Sequence, residues 1–199
     1  MLTPSRLRRA LLAASLALLA SGGAVSCSNA LRSPLAPSAA SPETNPAGDI
    51  PDNQAYVTFT SPSGAYSLKV PEGWSQTGEG SSVSFSSRYN SLRVETRQTA
   101  EPPTVASAKS TEVPSLGSST PGFSLQEVSS VHRSAGDAVL VRYQLRSPPD
   151  PVTGKVVQLA AERYEFWRGG LEAVLTLSAP VGADNADPWR TITDSFGWR

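Results

Sequence analysis

The residues of this chain that could take part in acid–base chemistry are few and far apart. His132 is the only histidine, and the sequence places neither a nucleophile nor a carboxylate beside it at the end of its predicted strand. Glu162 and Glu165 stand three positions apart, which on a strand turns them to opposite faces. Only a bulge between them would bring both carboxylates together. We therefore predict no catalytic set and expect that the protein is not an enzyme.

Oxygen ligands of the kind that calcium accepts occur in the stretch Asp184-Asn185-Ala186-Asp187. The stretch lacks the full ligand run and the terminal glutamate of a calcium loop. We interpret Asp187 instead as the cap of a C-terminal helix, where its carboxylate accepts backbone N–H bonds. The sequence has no Cys/His cluster with zinc spacing and no phosphate-binding glycine loop. Neither a metal nor a cofactor is expected.

Aromatic side chains are the remaining candidates for a binding surface, because amphipathic rings favour such surfaces. Tyr164 and Trp167 have opposite strand parity, so one of them faces away from the main core unless both sheet faces are covered. The alternative is that these aromatic side chains are buried in the core, and we favour this role for Trp74 and Trp189. The candidates for a ligand or partner surface are Trp74, Tyr164, Trp167 and Trp189.

Cys27, the only cysteine, follows a segment with the order of a secretory signal. A basic start precedes an apolar run over residues 11–20 and then small residues. Ala24-Val25-Ser26-Cys27 resembles a bacterial lipobox, after which the signal is removed and the new N-terminal cysteine carries lipid. Residues 1–26 are therefore predicted to be a lipoprotein signal peptide. We expect a lipid anchor on Cys27 at the extracytoplasmic face of the cell membrane.

Free secretion remains open, because Ala24 and Ser26 also suit an ordinary signal peptidase. That outcome would leave an unpaired thiol on a secreted protein, whereas lipidation gives Cys27 a use. A transmembrane anchor is the weakest option, since the apolar run is about half of the ~20 residues that a spanning helix needs.

Composition limits the classes of partner. Lys plus Arg and Asp plus Glu both total 17, so no basic field is present to attract nucleic acid. Without a second cysteine no intramolecular disulfide can form, and stability must come from packing. Arginine outnumbers lysine 14 to 3, which indicates the coding bias of a GC-rich bacterial genome such as that of an actinobacterium.

The composition changes near residue 54. Residues 27–54 are rich in proline, serine and alanine and hold too few apolar side chains to offset the cost of ordering them. We predict that they form a disordered tether. Residues 55–199 are predicted to form one folded domain.

Short alternating runs separated by turn residues predict an antiparallel sheet in this domain. Gly169-Gly170 predicts a tight hairpin. The apolar parity changes between Ala161 and Tyr164, which predicts a bulge. The predicted strands centre on residues 57–59, 66–70, 83–85, 92–94, 125–131, 139–145, 157–166 and 171–177.

Two helices complete the prediction. The first covers residues 103–111 and ends at Pro114. The second is terminal, and its apolar residues Trp189, Ile192 and Phe196 recur at helical spacing and should pack on the sheet. The predicted fold class is therefore α+β, with a curved antiparallel sheet of about seven or eight strands and helices packed on its faces.

Three stretches carry a family resemblance. They are residues 56–59 (YVTF), residues 66–74 (YSLKVPEGW) and residues 192–196 (ITDSF). Together they resemble the PsbP-like superfamily, which includes an extrinsic photosystem protein, a Ran-binding transport factor and many bacterial lipoproteins. The resemblance implies a curved antiparallel sheet with helices on both faces, used mostly as a binding platform. Photosystem metal ligands are not carried over, because no matching motif is present.

These observations lead to a functional hypothesis. We expect a membrane-anchored extracytoplasmic lipoprotein with a non-catalytic binding domain, acting as an adaptor or chaperone-like subunit for a protein or envelope component. The alternative is a carrier of a small molecule or lipid, with a pocket between sheet and helix. An envelope hydrolase ranks last.

Overall fold

The computed structural model describes residues 48–199. The predicted signal peptide, Cys27 and the tether up to residue 47 lie outside the described residues. Within residues 48–199, no helix has both the length and the apolarity needed to cross a membrane. The strands are β1 (Tyr56–Thr60), β2 (Tyr66–Pro71), β3 (Ser75–Thr77), β4 (Ser82–Ser87), β5 (Asn90–Gln98), β6 (Ser124–Arg133), β7 (Gly136–Arg146), β8 (Gln158–Arg168), β9 (Leu171–Pro180) and β10 (Gly197–Trp198).

The strands form two antiparallel sheets. One has three strands in the order β1-β2-β10, and the other has seven in the order β3-β4-β5-β9-β8-β7-β6. The hairpin predicted at Gly169-Gly170 joins β8 to β9, and further antiparallel pairs join β1 to β2 and β6 to β7. The α+β class and the antiparallel sheet of about seven strands are confirmed, and β1, β2 and β10 form a second, smaller sheet.

The main core lies on one face of the seven-stranded sheet, against the three-stranded sheet and the terminal helix α3 (Ala186–Ser195). Trp189 and Ile192 of α3 and the adjoining Phe196 are buried here, as their spacing predicts. The ring of Phe196 stacks on that of Phe166 with 4.8 Å between centroids, which fixes the end of α3 on β8.

The other face is partly covered by a helical segment, which comprises α1 (Val105–Ser107), a π-helical turn (Ala108–Glu112) and α2 (Val113–Ser119). The prediction that Pro114 ends this helix is wrong. The N–H of Val113 donates to the carbonyl of Ala108, and this wider turn lets the chain accept a proline, which lacks an N–H, at the start of α2.

The predicted bulge in β8 is also wrong. The pairing of β8 with β7 and β9 runs without a register shift from residue 159 to residue 166. Tyr164 belongs to the main core, whereas Ala161 belongs to a smaller cluster on the other face. The change of apolar parity therefore marks a strand that is buried on both faces, not an inserted residue.

The folded domain begins earlier than residue 55, so residues 48–54 were wrongly assigned to the tether. Ile50 is 3% exposed within the main core, and its N–H donates to Asn185 Oδ1 at 2.7 Å. Asn185 Nδ2 donates to the carbonyl of Gly48 at 2.9 Å.

Asn185, not Asp187, precedes α3, and Asp187 lies in the first turn. The expected capping role of Asp187 is therefore wrong.

Candidate functional site

The four aromatic residues proposed for a binding surface do not meet at one site. Tyr164 is 1% exposed and Trp189 is 9% exposed, and both lie in the main core. Trp74 is partly buried and lines a cavity of about 330 Å³ beside Ile50. Trp167 lies on the opposite face of β8 from Tyr164, as its parity predicts. Only Trp74 and Trp167 therefore border open space.

The acid–base candidates form exposed or structural pairs. His132 Nδ1 lies 2.7 Å from Asp137 Oδ1, and both side chains are about 80% exposed. Glu162 faces away from Glu165, as predicted, and its Oε2 accepts a hydrogen bond of 2.5 Å from the Tyr164 hydroxyl. Burial is the main cause that raises the pKa of Tyr164 to about 12. This hydroxyl therefore stays protonated and acts as a donor at neutral pH.

The face of the seven-stranded sheet opposite the main core carries a charged network. The tight turn between β8 and β9 sets a register in which Trp167 lies opposite Glu172. On the other side of β9, Arg97 also lies opposite Glu172. Alternate residues of a strand share a face, so Arg163 and Glu165 lie on the same face as Trp167. Residues from three strands are thus brought together.

Two arginines hold the network in place. Arg97 binds Glu172 in a fork, with Nε to Oε2 at 2.6 Å and Nη2 to Oε1 at 3.1 Å. Arg163 Nη2 lies 2.6 Å from Glu112 Oε1, and Arg163 Nε lies 3.3 Å from Glu165 Oε1. The side chains of Glu165 and Glu172 are each 3% exposed. Such buried charges are tolerated only when they are paired, and the observed pairing fixes their positions.

The π-helical turn supplies Glu112 to this network. Glu112 is its last residue, and its two oxygens reach Arg163 at 2.6 Å and Arg97 at 3.5 Å. Ala108 is the only residue of the helical segment that is fully buried. Ion pairs, together with a small apolar cluster, therefore fasten this segment to the sheet.

The pKa directions follow from this arrangement. Burial raises the pKa of the Glu165 carboxyl, while the nearby Arg163 opposes that rise. The hydrogen bond with Glu172 raises the pKa of Arg97 above its ordinary value. An additional cationic partner would therefore stabilise the charged form of Glu165.

Two adjoining cavities open between the helical segment and this sheet face, with volumes of about 220 Å³ and 140 Å³. Both are lined by Pro102, Pro103 and Glu165. We call them together the acidic groove, because their lining has five carboxylates against one arginine. These charged residues are Glu101, Glu112, Glu165, Glu172, Asp137 and Arg97.

Trp167 forms part of the wall of the acidic groove. Its Nε1 donates to the carbonyl of Thr99 at 3.3 Å, which orients the ring. It lies beside the buried carboxylate Glu172 on the neighbouring strand. Among the described residues, no three His, Cys, Asp or Glu side chains are arranged to hold a metal ion.

Sequence reasoning missed most of the acidic groove. It weighed Glu165 only as a partner of Glu162, and it gave Arg97 no role in a site. The tight turn at Gly169-Gly170 was the one sequence feature that could have located the groove. Pairing residues across this turn, one by one, places Trp167 opposite Glu172, which is a charged residue inside an otherwise apolar strand. The contribution of Glu112 had no such signal, because it depends on the π-helical turn.

Comparisons with known proteins give a fold. No protein-family model matches the chain, and no curated protein sequence matches it. The solution structure of the PsbP protein CyanoP from Synechocystis sp. PCC 6803 matches with a TM-score of 0.51 at 15% identity, covering 76% of this chain and 98% of that one. Residues 48–199 have the PsbP-like fold, and the resemblance inferred from the sequence is confirmed at that level.

Other solved structures match less well. LpqN of Mycobacterium tuberculosis, involved in cell envelope biogenesis, has a TM-score of 0.45 at 14% identity and covers 74% of this chain and 92% of LpqN. The Ran-binding protein Mog1p of Saccharomyces cerevisiae has a TM-score of 0.47 at 11% identity, with coverages of 72% and 95%. Against a Bacteroides thetaiotaomicron protein, the match spans 48% of that protein's length. At these identities the likeness concerns the fold alone.

Proposed function

We propose that the protein is an extracytoplasmic lipoprotein, anchored through lipid on Cys27, whose folded domain binds a protein or envelope component without catalysing a reaction. In this role it is an adaptor or chaperone-like subunit at the membrane surface. The basic, apolar and small-residue order of residues 1–26, followed by the only cysteine, supports the anchor.

The acidic groove is the observation that carries the binding role. Three of its carboxylates, Glu112, Glu165 and Glu172, are held in position by Arg97 and Arg163, so this part of the site is preformed, and binding there requires little ordering of side chains. The same ion pairs engage Glu112 and Glu172, which an acid–base reaction would need to have free. This arrangement supports recognition rather than turnover.

A small-molecule carrier is the second candidate, because the 220 Å³ cavity lies between the sheet and the helical segment. Its charged lining suits a small polar cation better than an acyl chain, since buried charges disfavour an apolar occupant that cannot pair with them. Within the carrier hypothesis, the groove therefore favours a polar ligand over a lipid.

The anchor is tested by comparing the natural chain with Cys27→Ser in a bacterium that processes lipoproteins. The natural chain should fractionate with membranes and show acyl chains on its N-terminal cysteine by mass spectrometry. The variant should be released or remain unprocessed. Membrane retention of Cys27→Ser together with persisting lipid mass would refute the anchor, and a soluble natural chain with a free thiol would establish ordinary secretion.

The binding role is tested by crosslinking both forms in intact cells and analysing the captured proteins and small molecules. A stoichiometric protein that is captured with the anchored form and lost with Cys27→Ser would support a membrane-tethered adaptor. A reproducible small molecule without a protein partner would favour the carrier. Turnover of that molecule by the purified chain would contradict the non-catalytic proposal.

A further inference from the structure

The acidic groove has an excess of negative charge that the protein itself does not neutralise. Its lining carries five carboxylates and one arginine, and Arg163 beneath it adds a second cation. A half-enclosed site with this imbalance attracts positively charged groups, because low-dielectric walls concentrate the field.

Glu165 is the deeply buried carboxylate that lines both cavities of the groove. Its side chain is 3% exposed, and Oε1 lies 3.3 Å from Arg163 Nε. Oε2 accepts no hydrogen bond from any residue that the structure describes. Because Glu165 lines both cavities, the groove gives a donor access to this free oxygen.

Trp167 offers an organic cation a second kind of interaction, through its indole ring. Its ring lines the groove two positions from Glu165 on the same strand face, and the hydrogen bond to Thr99 holds it in place. An indole face beside a carboxylate is a favourable environment for an organic cation, since it adds a cation–π contact to the ion pair. A hydrated metal ion would not use the ring in this way.

The walls set the size and shape of the occupant. Pro102 and Pro103 line both cavities, and their fixed φ angles limit how far the wall can move. The larger cavity, of about 220 Å³, has room for roughly seven waters at ~30 Å³ each. That volume accommodates a cationic head and a short alkyl chain.

We propose that the acidic groove binds a terminal guanidinium or ammonium group on a short alkyl chain, with Glu165 accepting its hydrogen bond and Trp167 packing on its alkyl or cationic face. This inference rests on the binding role proposed above and specifies the chemistry of that site. The group is carried either by an arginine or lysine side chain of a protein partner or by a free small amine.

The test uses the full chain with Cys27→Ser, so that its result does not depend on lipidation. Calorimetric titration at low salt compares n-butylguanidinium with n-butylurea, which has nearly the same shape and no charge. Saturable binding of the guanidinium and none of the urea are expected. Glu165→Gln should weaken binding about tenfold or more, since a charge-assisted hydrogen bond is lost. Trp167→Leu should weaken it about threefold.

The control is Glu127→Gln, which removes a carboxylate that pairs with Arg142 at 2.6 Å outside the groove and should leave affinity unchanged. Circular dichroism verifies that each variant is folded. Unmeasurable binding of n-butylguanidinium, or wild-type affinity in both Glu165→Gln and Trp167→Leu, would overturn the inference.

Two peptides distinguish the sources of the cation. A blocked Gly-Arg-Gly peptide that binds at least tenfold more tightly than n-butylguanidinium, with a citrulline counterpart that does not bind, would assign the groove to a protein side chain. Equal or weaker peptide binding would assign it to a free amine. If crosslinking in cells captures a partner that Glu165→Gln retains, and n-butylguanidinium does not bind the purified chain, the adaptor proposal stands and this inference fails.

Discussion

The two faces of the seven-stranded sheet are built from the same strands but stabilised differently. On one face, large apolar side chains pack against α3 and the three-stranded sheet with almost no exposure. On the other face, the helical segment is held by Arg97, Arg163 and Glu112, with a small apolar cluster around Val141 and Tyr143.

This difference indicates a division of roles. Burial of apolar area is non-directional and contributes most of the folding free energy. Ion pairs in a partly buried network contribute little net stability, because desolvation offsets the attraction, but they fix geometry. We infer that the apolar face maintains the fold, and that the charged face maintains the shape of the acidic groove.

The largest expected effect is on the apolar face. Trp189→Ala should lower the free energy of unfolding by about 3–5 kcal/mol, because it removes a buried ring and leaves a cavity. Urea denaturation monitored by circular dichroism measures this loss. Trp189→Phe is the matched control and should cost much less, since among the described residues Trp189 Nε1 has no hydrogen-bond partner. Similar losses for both variants would contradict a packing role.

A smaller effect is expected where the helical segment meets the sheet. Glu112→Gln should cost about 1–3 kcal/mol, because a charged hydrogen bond to the mostly buried Arg163 is weakened. Hydrogen exchange should accelerate in residues 105–119 and remain unchanged in β8 and β9, since the segment can open locally. Lys109→Gln, an exposed change on the same segment, is the control. Uniform acceleration across the sheet would show that the two faces unfold together.

The apolar face was largely predictable from the sequence, and the charged face was not. Alternation over residues 66–70 correctly predicted the strand β2, and helical spacing in α3 correctly predicted that Ile192 packs on the sheet. Ile50 was missed because a single apolar residue in a proline-rich stretch carries no periodicity. The charged network depends on contacts between distant strands and on the π-helical turn. Neither is a property of a local pattern.

The smallest predicted effect tests the electrostatics of Glu165. Burial raises its pKa in the folded state, so the folded protein retains a proton over a pH range in which the unfolded chain, with a carboxyl pKa near 4.3, has lost it. Stability contributed by this group therefore falls as the pH rises through that range and is fully present only below it. Relative to the wild type, Glu165→Gln should gain stability by about 1 kcal/mol or less as the pH rises from 4 to 7.

For the exposed carboxylate Glu127, we expect the pH dependence of stability to have the opposite sign. Ser129 and Arg142 lower the pKa of Glu127, so its contribution to stability is present above the unfolded pKa and is lost as the pH falls through the folded value. The Glu127→Gln variant should thus lose stability relative to the wild type at neutral pH and match it in acid. Urea denaturation of both variants between pH 4 and 7 measures the two slopes. If Glu165→Gln also loses stability with rising pH, its carboxylate is satisfied by the protein alone, and the charged face is structural rather than a preformed site for a cation.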